Sequence, residues 1–148
     1  MTTYIDTSVL AAYYCPEPIS ALAERTLRRL SSPTISELTL VEFASAVSRK
    51  VREKTLAREA GTRILTQFES HLEQGYYLVL PVRTLDYRMA RSWLAQLHGT
   101  LRTLDALHLA VAKAAGASTL TADRRLAAEA QAIGLPIKLL TITISRAH

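Results

Sequence analysis

The sequence predicts an α/β fold with a largely parallel sheet, and three observations support this prediction. Short apolar segments of strand length alternate along the chain with longer segments of helical periodicity. Prolines at positions 33, 81 and 136 mark the entries or exits of strands. Four of the five glycines directly follow a helical segment, where a left-handed residue ends a helix at little cost: Gly75, Gly99, Gly116 and Gly134.

Five apolar segments have the length and composition of buried parallel strands. In chain order they are residues 3–5, 34–36, 77–80, 118–121 and 138–142. Six further segments carry apolar residues at helical spacing, at residues 19–30, 38–52, 56–74, 85–97, 104–115 and 124–133. This alternation of strands and helices is typical of βαβ units, which place helices against a parallel sheet. No repeat or linker interrupts it, so we expect one domain spanning residues 1–148.

Composition is consistent with a compact protein of the cytoplasm. Apolar residues make up 49% of the 148 positions, which is enough to build a core. The single cysteine, Cys15, has no partner for an internal disulfide, as suits a reducing compartment. The apolar run at residues 9–14 is too short to span a bilayer, so we expect no membrane contact.

The net charge of +5 is carried mainly by arginine, which accounts for fourteen of the eighteen basic residues. The planar guanidinium suits bidentate contacts to phosphate, which favours a polyanionic partner such as nucleic acid. Solubility and favourable charges at helix ends explain the same composition equally well. Charge alone therefore leaves both interpretations open.

Acidic residues gather where strands are expected to hand over to helices. Three of the four aspartates lie at such a junction or in a first helical turn, namely Asp6, Asp105 and Asp123, and Glu42 lies at an equivalent place. Loops from the carboxyl ends of parallel strands meet at one edge of the sheet, where carboxylates repel one another unless a cation joins them. Because all four are oxygen ligands, we predict a site for Mg²⁺ or Mn²⁺.

Each of these carboxylates also has an ordinary structural explanation. Asp6 and Asp123 have the position of helix N-caps, and Thr39 with Glu42 matches the capping-box pattern. Asp105 would be a first-turn acid favoured by the helix dipole. The helical segment around Asp105 is almost entirely apolar, however, and an isolated buried carboxylate is costly there. We therefore favour the metal interpretation for the four residues together.

Three polar neighbours complete the candidate site. Ser8 and Thr121 lie two residues from Asp6 and Asp123, and we expect their hydroxyl groups to orient carboxylates or bind metal-bound water. Local capping by these hydroxyls is the alternative. His108 lies one turn after Asp105, close enough for a role at the site, but a packed core histidine is the favoured interpretation.

Three segments together resemble the PIN domain, specifically the VapC-type ribonuclease toxins. They are YIDTSVLAAYYCPEP, SELTLVEFASAVSRK and TLDALHLAVAKAAGASTLTADRRL, in family order over nearly the whole chain. The resemblance implies a three-layer α/β/α sandwich with a four- or five-stranded parallel sheet. It also implies Mg²⁺-dependent endonucleolytic cleavage of RNA, usually tRNA or ribosomal RNA. The family's acidic residues fall on Asp6, Glu42, Asp105 and Asp123, and its hydroxyl residues on Ser8 and Thr121.

The resemblance further implies a homodimer and a cognate antitoxin that lies across an apolar groove. Apolar stripes at residues 19–30 and 56–72 are candidates to line this groove, with core packing as the alternative. On the groove hypothesis, polar substitution of Phe68 should weaken antitoxin binding more than folding. We also expect some of Arg102, Arg124 and Arg125 to contact flanking phosphates, with at least one in solvent.

Other functional classes find less support in the sequence. A phosphohydrolase with Asp6 as nucleophile would need a second aspartate where Ser8 stands, and a phosphoreceiver domain would need an early acidic pair that is missing. The sequence contains neither of two glycine-rich nucleotide-binding motifs, G-x-x-x-x-G-K-[ST] and G-x-G-x-x-G. The remaining alternative is a non-catalytic PIN-like module that binds RNA or protein.

Overall fold

The structure, a computed structural model, describes residues 2–142. Within these residues it has five strands: β1 (Thr3–Ile5), β2 (Pro33–Ser36), β3 (Leu78–Leu80), β4 (Ser118–Thr121) and β5 (Ile137–Leu139). The helices in the same range are α1 (Thr7–Tyr14), α2 (Ser20–Arg28), α3 (Glu37–Arg52), α4 (Arg58–Glu73), α5 (Thr84–Leu94), α6 (Thr103–Ala114) and α7 (Arg124–Ala132). None of these helices has the length and apolar character needed to cross a membrane.

All neighbouring strands pair in parallel, and the sheet order is β3-β2-β1-β4-β5. The chain first moves outward from β1 to β2 and β3, and then returns to the other side of β1 with β4 and β5. The carboxyl ends of β1 and β4 therefore flank the point where the winding direction reverses. In open α/β sheets, ligands bind in the crevice at such a switch point.

Helices cover both faces of the sheet, because successive strand residues point to opposite sides. Ile5 of β1 belongs to a core cluster with Val9 of α1, Phe43 of α3 and Phe68 of α4. Tyr4 points the other way and joins a cluster with Val111 of α6. The five-stranded parallel sheet and the α/β/α sandwich expected from the resemblance are confirmed.

The expected strands and helices are all present, and their bounds differ from the predictions by a few residues. The largest shifts, three residues each, are at the end of the last strand, expected at residues 138–142 and observed at Ile137–Leu139, and at the end of α5, expected at residues 85–97 and observed at Thr84–Leu94. Helix α1 was implied by the predicted N-cap position of Asp6, but it was not among the six helical segments assigned from the sequence. Its buried residues are Thr7, Val9, Leu10, Ala12 and Tyr14, so it is covered on most sides and lacks a clear apolar stripe.

Candidate active site

Asp6 directly follows the central strand, and its side chain is 6% exposed. Its backbone N–H donates to the carbonyl of Leu120 on β4 at 2.9 Å. The carboxylate does not cap α1. Instead, Oδ2 accepts hydrogen bonds from Ser8 Oγ at 2.6 Å and from Thr121 Oγ1 at 2.9 Å. The capping alternative is therefore wrong for Asp6, and two hydroxyl groups from different elements fix the orientation of its carboxylate.

The environment of Asp6 disfavours an isolated negative charge. Burial raises the pKa of its carboxyl above the ordinary value; His108 and the hydroxyls of Ser8 and Thr121 oppose this rise without cancelling it. Glu42 adds a smaller upward contribution to the pKa of Asp6. A cation at this carboxylate would relieve both the loss of solvation and the repulsion from Glu42.

The same hydroxyl groups also hold the turn between β4 and α7. Ser8 Oγ accepts the N–H of Ala122 at 2.9 Å, and Thr121 Oγ1 accepts the N–H of Asp123 at 3.0 Å. Each hydroxyl thus bonds to a backbone amide of the turn, and each also donates to Asp6. This arrangement fixes the distance between the turn and the end of β1.

Asp123 is the N-cap of α7, as the capping alternative predicted. Its Oδ1 atom accepts the backbone N–H groups of Arg125 at 2.9 Å and Leu126 at 3.3 Å. The side chain is 39% exposed, and Oδ2 lies 3.7 Å from Nη2 of Arg125. Capping occupies Oδ1 of this carboxylate, and Oδ2 faces the guanidinium of Arg125.

Asp105 lies in the first turn of α6 and is paired with an arginine. Its side chain is 17% exposed, and Oδ2 accepts a hydrogen bond from Arg125 Nη2 at 2.7 Å. The cation that the apolar surroundings of Asp105 require is therefore Arg125 in this structure. The guanidinium also donates through Nη1 to the carbonyl of Thr100 at 2.9 Å. Arg125, which was expected to contact a phosphate or solvent, is bound to carboxylates instead.

Glu42 lies on the second turn of α3 and does not cap that helix. The helix begins at Glu37, and its first turn is closed by Ser36, whose N–H donates to Thr39 Oγ1 at 3.1 Å. The expected capping box of Thr39 with Glu42 is therefore wrong, because the helix starts earlier than that pattern requires. The Oε1 atom of Glu42 accepts a hydrogen bond from Thr7 Oγ1 at 2.7 Å and is hydrogen-bonded to Nε2 of His108.

His108 is fully buried, as expected of a core histidine, but both of its ring nitrogens have polar partners. Nε2 bonds to Glu42, and Nδ1 lies 2.6 Å from the hydroxyl of Tyr4. The Tyr4 hydroxyl in turn lies 2.8 Å from Ser36 Oγ. Burial acts to raise the pKa of Glu42, but its bonds to His108 and Thr7 outweigh that effect and lower the pKa.

Three features of the site were not predicted from the sequence: the contacts of Tyr4, the contact of Thr7 with Glu42 and the ion pair of Arg125 with Asp105. The spacing of His108 one turn after Asp105 was a usable signal, because both residues lie on one face of α6. Tyr4 precedes Asp6 by two residues, and because the backbone of Asp6 continues the extended conformation of β1, their side chains are expected on the same face of the sheet. The partner of Arg125 depends on the direction of a long side chain, which the sequence does not specify.

The four acidic residues lie at the carboxyl edge of the strands and are connected by short contacts. Thr121 links Asp6 to the turn that carries Asp123, and Arg125 links Asp123 to Asp105. Thr7, next to Asp6 in the chain, bonds to Glu42. Between residues 2 and 142, however, no three Asp, Glu, His or Cys side chains are already arranged to hold a metal ion.

The residues present nevertheless fit a hard divalent cation in their chemistry. The candidate ligands are carboxylates with nearby hydroxyls, which suits Mg²⁺ or Mn²⁺ rather than a softer metal. Both hydroxyl bonds of Asp6 go to Oδ2, so Oδ1 is the oxygen available as a ligand. Asp105 is the remaining central candidate, and its cation in this structure is a guanidinium.

The protein is thus an α/β protein with a parallel sheet, and its acidic side chains lie at the switch point, where proteins of this class bind their ligands. The PIN domain family model matches residues 3–131, and the chain therefore belongs to the PIN domain family. The chain is similar to Ribonuclease VapC3 of Pyrobaculum aerophilum, with 25% identity over 136 residues that cover 92% of this chain and 100% of that protein.

Solved structures share the fold. The crystal structure of Mycobacterium tuberculosis VapC20, described as a toxin that cleaves the sarcin-ricin loop, matches with a TM-score of 0.70 and 18% identity; 90% of this chain and 95% of that chain are covered. VapBC2 from Rickettsia felis, bound to a fragment of its promoter DNA, matches with a TM-score of 0.66 and 19% identity over 94% of this chain and 98% of that chain. At these identities the likeness concerns the fold.

Proposed function

We propose that this protein is a divalent-metal-dependent endoribonuclease of the VapC type. Membership of the PIN domain family and similarity to Ribonuclease VapC3 over that protein's full length support this proposal. The main support for metal-dependent cleavage is the environment of Asp6. Its carboxylate is buried at the switch point, accepts hydrogen bonds from two hydroxyl groups and does not cap a helix. A structural role alone does not explain the burial of this charge.

The proposed ion is Mg²⁺, with Mn²⁺ as a substitute. Asp6 and Asp105 are the central ligands, and Glu42 and Asp123 complete the set. When bound, the ion supplies a polarised water molecule and stabilises negative charge at the scissile phosphate. Ser8 and Thr121 orient Asp6, while Thr7 and His108 fix Glu42 where it can bind the ion or accept a proton from the attacking water.

RNA is the proposed substrate, with structured tRNA or ribosomal RNA as the specific expectation. The net charge of +5 favours association with a polyanion. Arg102 and Arg124 are exposed at the first turns of α6 and α7, beside Asp105 and Asp123. We assign these two arginines to flanking phosphates. Hydrolysis by an activated water at this site should leave a 5′-phosphate.

A cognate antitoxin is the proposed protein partner, since the similar solved structures include VapBC complexes. Within the two apolar stripes expected to line its groove, Leu22, Leu30, Leu65 and Leu72 are only partly buried and stay candidates. Phe68 is 4% exposed and packs against Phe43 and Tyr14, so it belongs to the core rather than to a groove. Leu27 and Ile64 of the same stripes are also buried.

A homodimer acting in the cytoplasm completes the proposal. Helix α5 offers a surface for self-association, because Leu85 is 69% exposed and Met89, one turn later on the same side of the helix, is 37% exposed. Two neighbouring exposed apolar side chains favour contact with another protein surface. Light scattering of the purified protein, compared with a Leu85→Glu variant, tests this assignment through the molar mass.

RNA cleavage by purified protein tests the proposed activity. Total tRNA and ribosomal RNA are incubated with wild-type protein in Mg²⁺, with wild-type protein and a chelator, and with the isosteric Asp6→Asn variant in Mg²⁺. We expect cleavage only in the first reaction, with product ends that carry a 5′-phosphate. Equal cleavage in all three reactions would exclude the metal mechanism, and 2′,3′-cyclic phosphate ends would exclude hydrolysis by water.

A non-catalytic RNA- or protein-binding module is the second candidate, and one observation favours it. Arg125 is bound to Asp105, and residues 2–142 contain no assembled metal-binding group. On this hypothesis the wild-type protein binds RNA with equal affinity in Mg²⁺ and in chelator and leaves it intact. An electrophoretic mobility shift assay beside the cleavage assay separates the two candidates.

A further inference from the structure

The guanidinium of Arg125 occupies the position of a cation between two of the proposed metal ligands. Its Nη2 atom lies 2.7 Å from Oδ2 of Asp105 and 3.7 Å from Oδ2 of Asp123. Its other terminal nitrogen donates to the carbonyl of Thr100 at 2.9 Å. The two terminal nitrogens therefore donate hydrogen bonds to Asp105 and Thr100, and the carboxylate of Asp123 forms a longer ion pair with Nη2.

The surrounding structure fixes this position of the side chain. The backbone N–H of Arg125 donates to Asp123 Oδ1 at 2.9 Å, so the residue contacts the Asp123 carboxylate through both its backbone and its side chain. Thr100 is itself held on α7, because its N–H and hydroxyl both donate to Glu129 Oε1, at 2.9 and 2.7 Å. Glu129 lies one helical turn after Arg125, so both residues that contact Thr100 belong to α7.

The preceding residue provides an internal comparison. Arg124 has the same charge, lies in the same helical turn and is exposed. Among residues 2–142, its guanidinium takes part in no hydrogen bond or ion pair, in contrast to that of Arg125. The contact with the acidic cluster therefore follows from the position of Arg125 and not from the basic composition of the turn.

We propose that Arg125 is an internal competitor of the divalent ion: it neutralises Asp105 and Asp123 in the metal-free protein and must leave them when the ion binds. This inference rests on the proposed metal-dependent function. A guanidinium and a divalent ion repel each other at short distance, and both would bind the carboxylate of Asp105. Metal affinity is then reduced by the free energy needed to displace Arg125.

The displaced guanidinium is then free to bind a phosphate of RNA. It remains on α7 at the carboxyl edge of the sheet, and its planar fork matches two oxygens of a phosphate. The inference therefore predicts opposite effects when the arginine is removed. Divalent ions should bind more tightly without RNA, whereas RNA should bind less tightly.

The expected effect is modest, because the side chains of Arg125 and Asp105 are 32% and 17% exposed. Partly exposed ion pairs are weak, so loss of the competitor should lower the Kd for the ion by roughly three- to fivefold. A change of this size is measurable by calorimetry. The direction of the change also identifies the role of Arg125. Removal of a competitor lowers the Kd for the ion, whereas removal of a residue that positions Asp105 for the ion would raise it.

The experiment is isothermal titration of Mn²⁺ into metal-free protein without RNA, for the wild type, Arg125→Gln and the matched control Arg124→Gln. We expect Arg125→Gln to bind Mn²⁺ roughly three- to fivefold more tightly and Arg124→Gln to match the wild type. An unchanged or weaker affinity in Arg125→Gln would overturn the inference. Equal tightening in both variants would also overturn it, since that result reflects general loss of positive charge.

A second measurement on the wild-type protein removes any dependence on the folding of a variant. Addition of Mg²⁺ should shift the side-chain Nε–H resonance of Arg125 and leave that of Arg124 in place. A resonance of Arg125 that does not move while Mg²⁺ binds would contradict displacement.

The results separate this inference from the proposed function. Ion binding of equal strength in the wild type and in Arg125→Gln overturns the inference alone. Absence of binding in every protein overturns both, and binding seen only in Arg125→Gln supports the competition directly.

Discussion

His108 is hydrogen-bonded through Nε2 to Oε1 of Glu42, although 66 residues separate the two in the chain. The imidazole is fully buried, and its other nitrogen is bound to Tyr4. Glu42 therefore projects toward the carboxyl edge of the sheet from a partner that belongs to the core. Partners of this kind hold catalytic carboxylates in one orientation in metal sites.

Two substitutions of His108 should distinguish the contribution of its hydrogen bond to Glu42 from the contribution of its packing in the core. We expect His108→Gln to keep more RNA cleavage than His108→Leu, because the glutamine amide can still donate to Glu42. The leucine variant leaves the hydroxyl of Tyr4 and the carboxylate of Glu42 without this partner, at a cost of about 1–3 kcal/mol each. The measurement is kcat with Mg²⁺, beside the free energy of unfolding in urea. Equal kcat in both variants, after correction for the folded fraction, would contradict this role.

Loss of the Tyr4 hydroxyl should destabilise the fold. Its ring is fully buried, and the hydroxyl lies 2.6 Å from His108 Nδ1 and 2.8 Å from Ser36 Oγ. Tyr4→Phe leaves Nδ1 of His108 unpaired in the core and removes one partner of Ser36, so we expect the free energy of unfolding to fall by about 1–3 kcal/mol. Tyr87→Phe, at a position that is 56% exposed, is the control and should change it by less than about 0.5 kcal/mol. Urea denaturation of both variants provides the comparison.

Truncation of Phe68 tests whether this residue belongs to the core or to a partner surface. Its ring packs against Phe43, with 4.6 Å between ring centroids, and against Tyr14 at 5.4 Å. We expect Phe68→Ala to lower the free energy of unfolding by about 3–5 kcal/mol, as for other buried aromatic residues. Val41→Ala, at a position that is 69% exposed, is the control. A loss below about 1 kcal/mol would restore the groove hypothesis for Phe68.

The sequence was sufficient to predict the order of strands and helices, because buried strands and amphipathic helices each have their own periodicity. It also placed four carboxylates at one edge, since parallel strands bring their carboxyl ends together. The extent of helix α1 was not predicted, because this helix is buried on most sides and lacks a clear apolar stripe. The partners of Asp105 and Glu42 were missed because Arg125 and His108 meet them through tertiary packing, 20 and 66 residues away in sequence.

Alkaline pH should destabilise the protein through Tyr77. Burial raises the pKa of Tyr77 from 10.0 to about 12, although its hydrogen bond with Tyr14 acts in the opposite direction. Between these two values the folded protein keeps a proton that the unfolded chain releases. The contribution of Tyr77 is therefore fully present below pH 10 and is lost as the pH rises toward about 12.

Urea denaturation at about pH 8 and about pH 11 measures this loss. We expect the free energy of unfolding to fall less steeply with pH in Tyr77→Phe than in the wild type. Tyr87→Phe, at an exposed site, should reproduce the wild-type slope. A wild-type slope in Tyr77→Phe would show that this phenol does not contribute.

The proposed metal-dependent activity requires that Asp6 and Asp105 bind one divalent ion at the carboxyl edge of the sheet. Anomalous diffraction from crystals grown with Mn²⁺ tests this most directly. We predict a single strong peak within roughly 2.0–2.2 Å of a carboxylate oxygen of Asp6 and of Asp105, with Arg125 moved away from Asp105. Crystals that contain Mn²⁺ in the solvent but show no peak at Asp6, with Arg125 still bound to Asp105, would contradict the account.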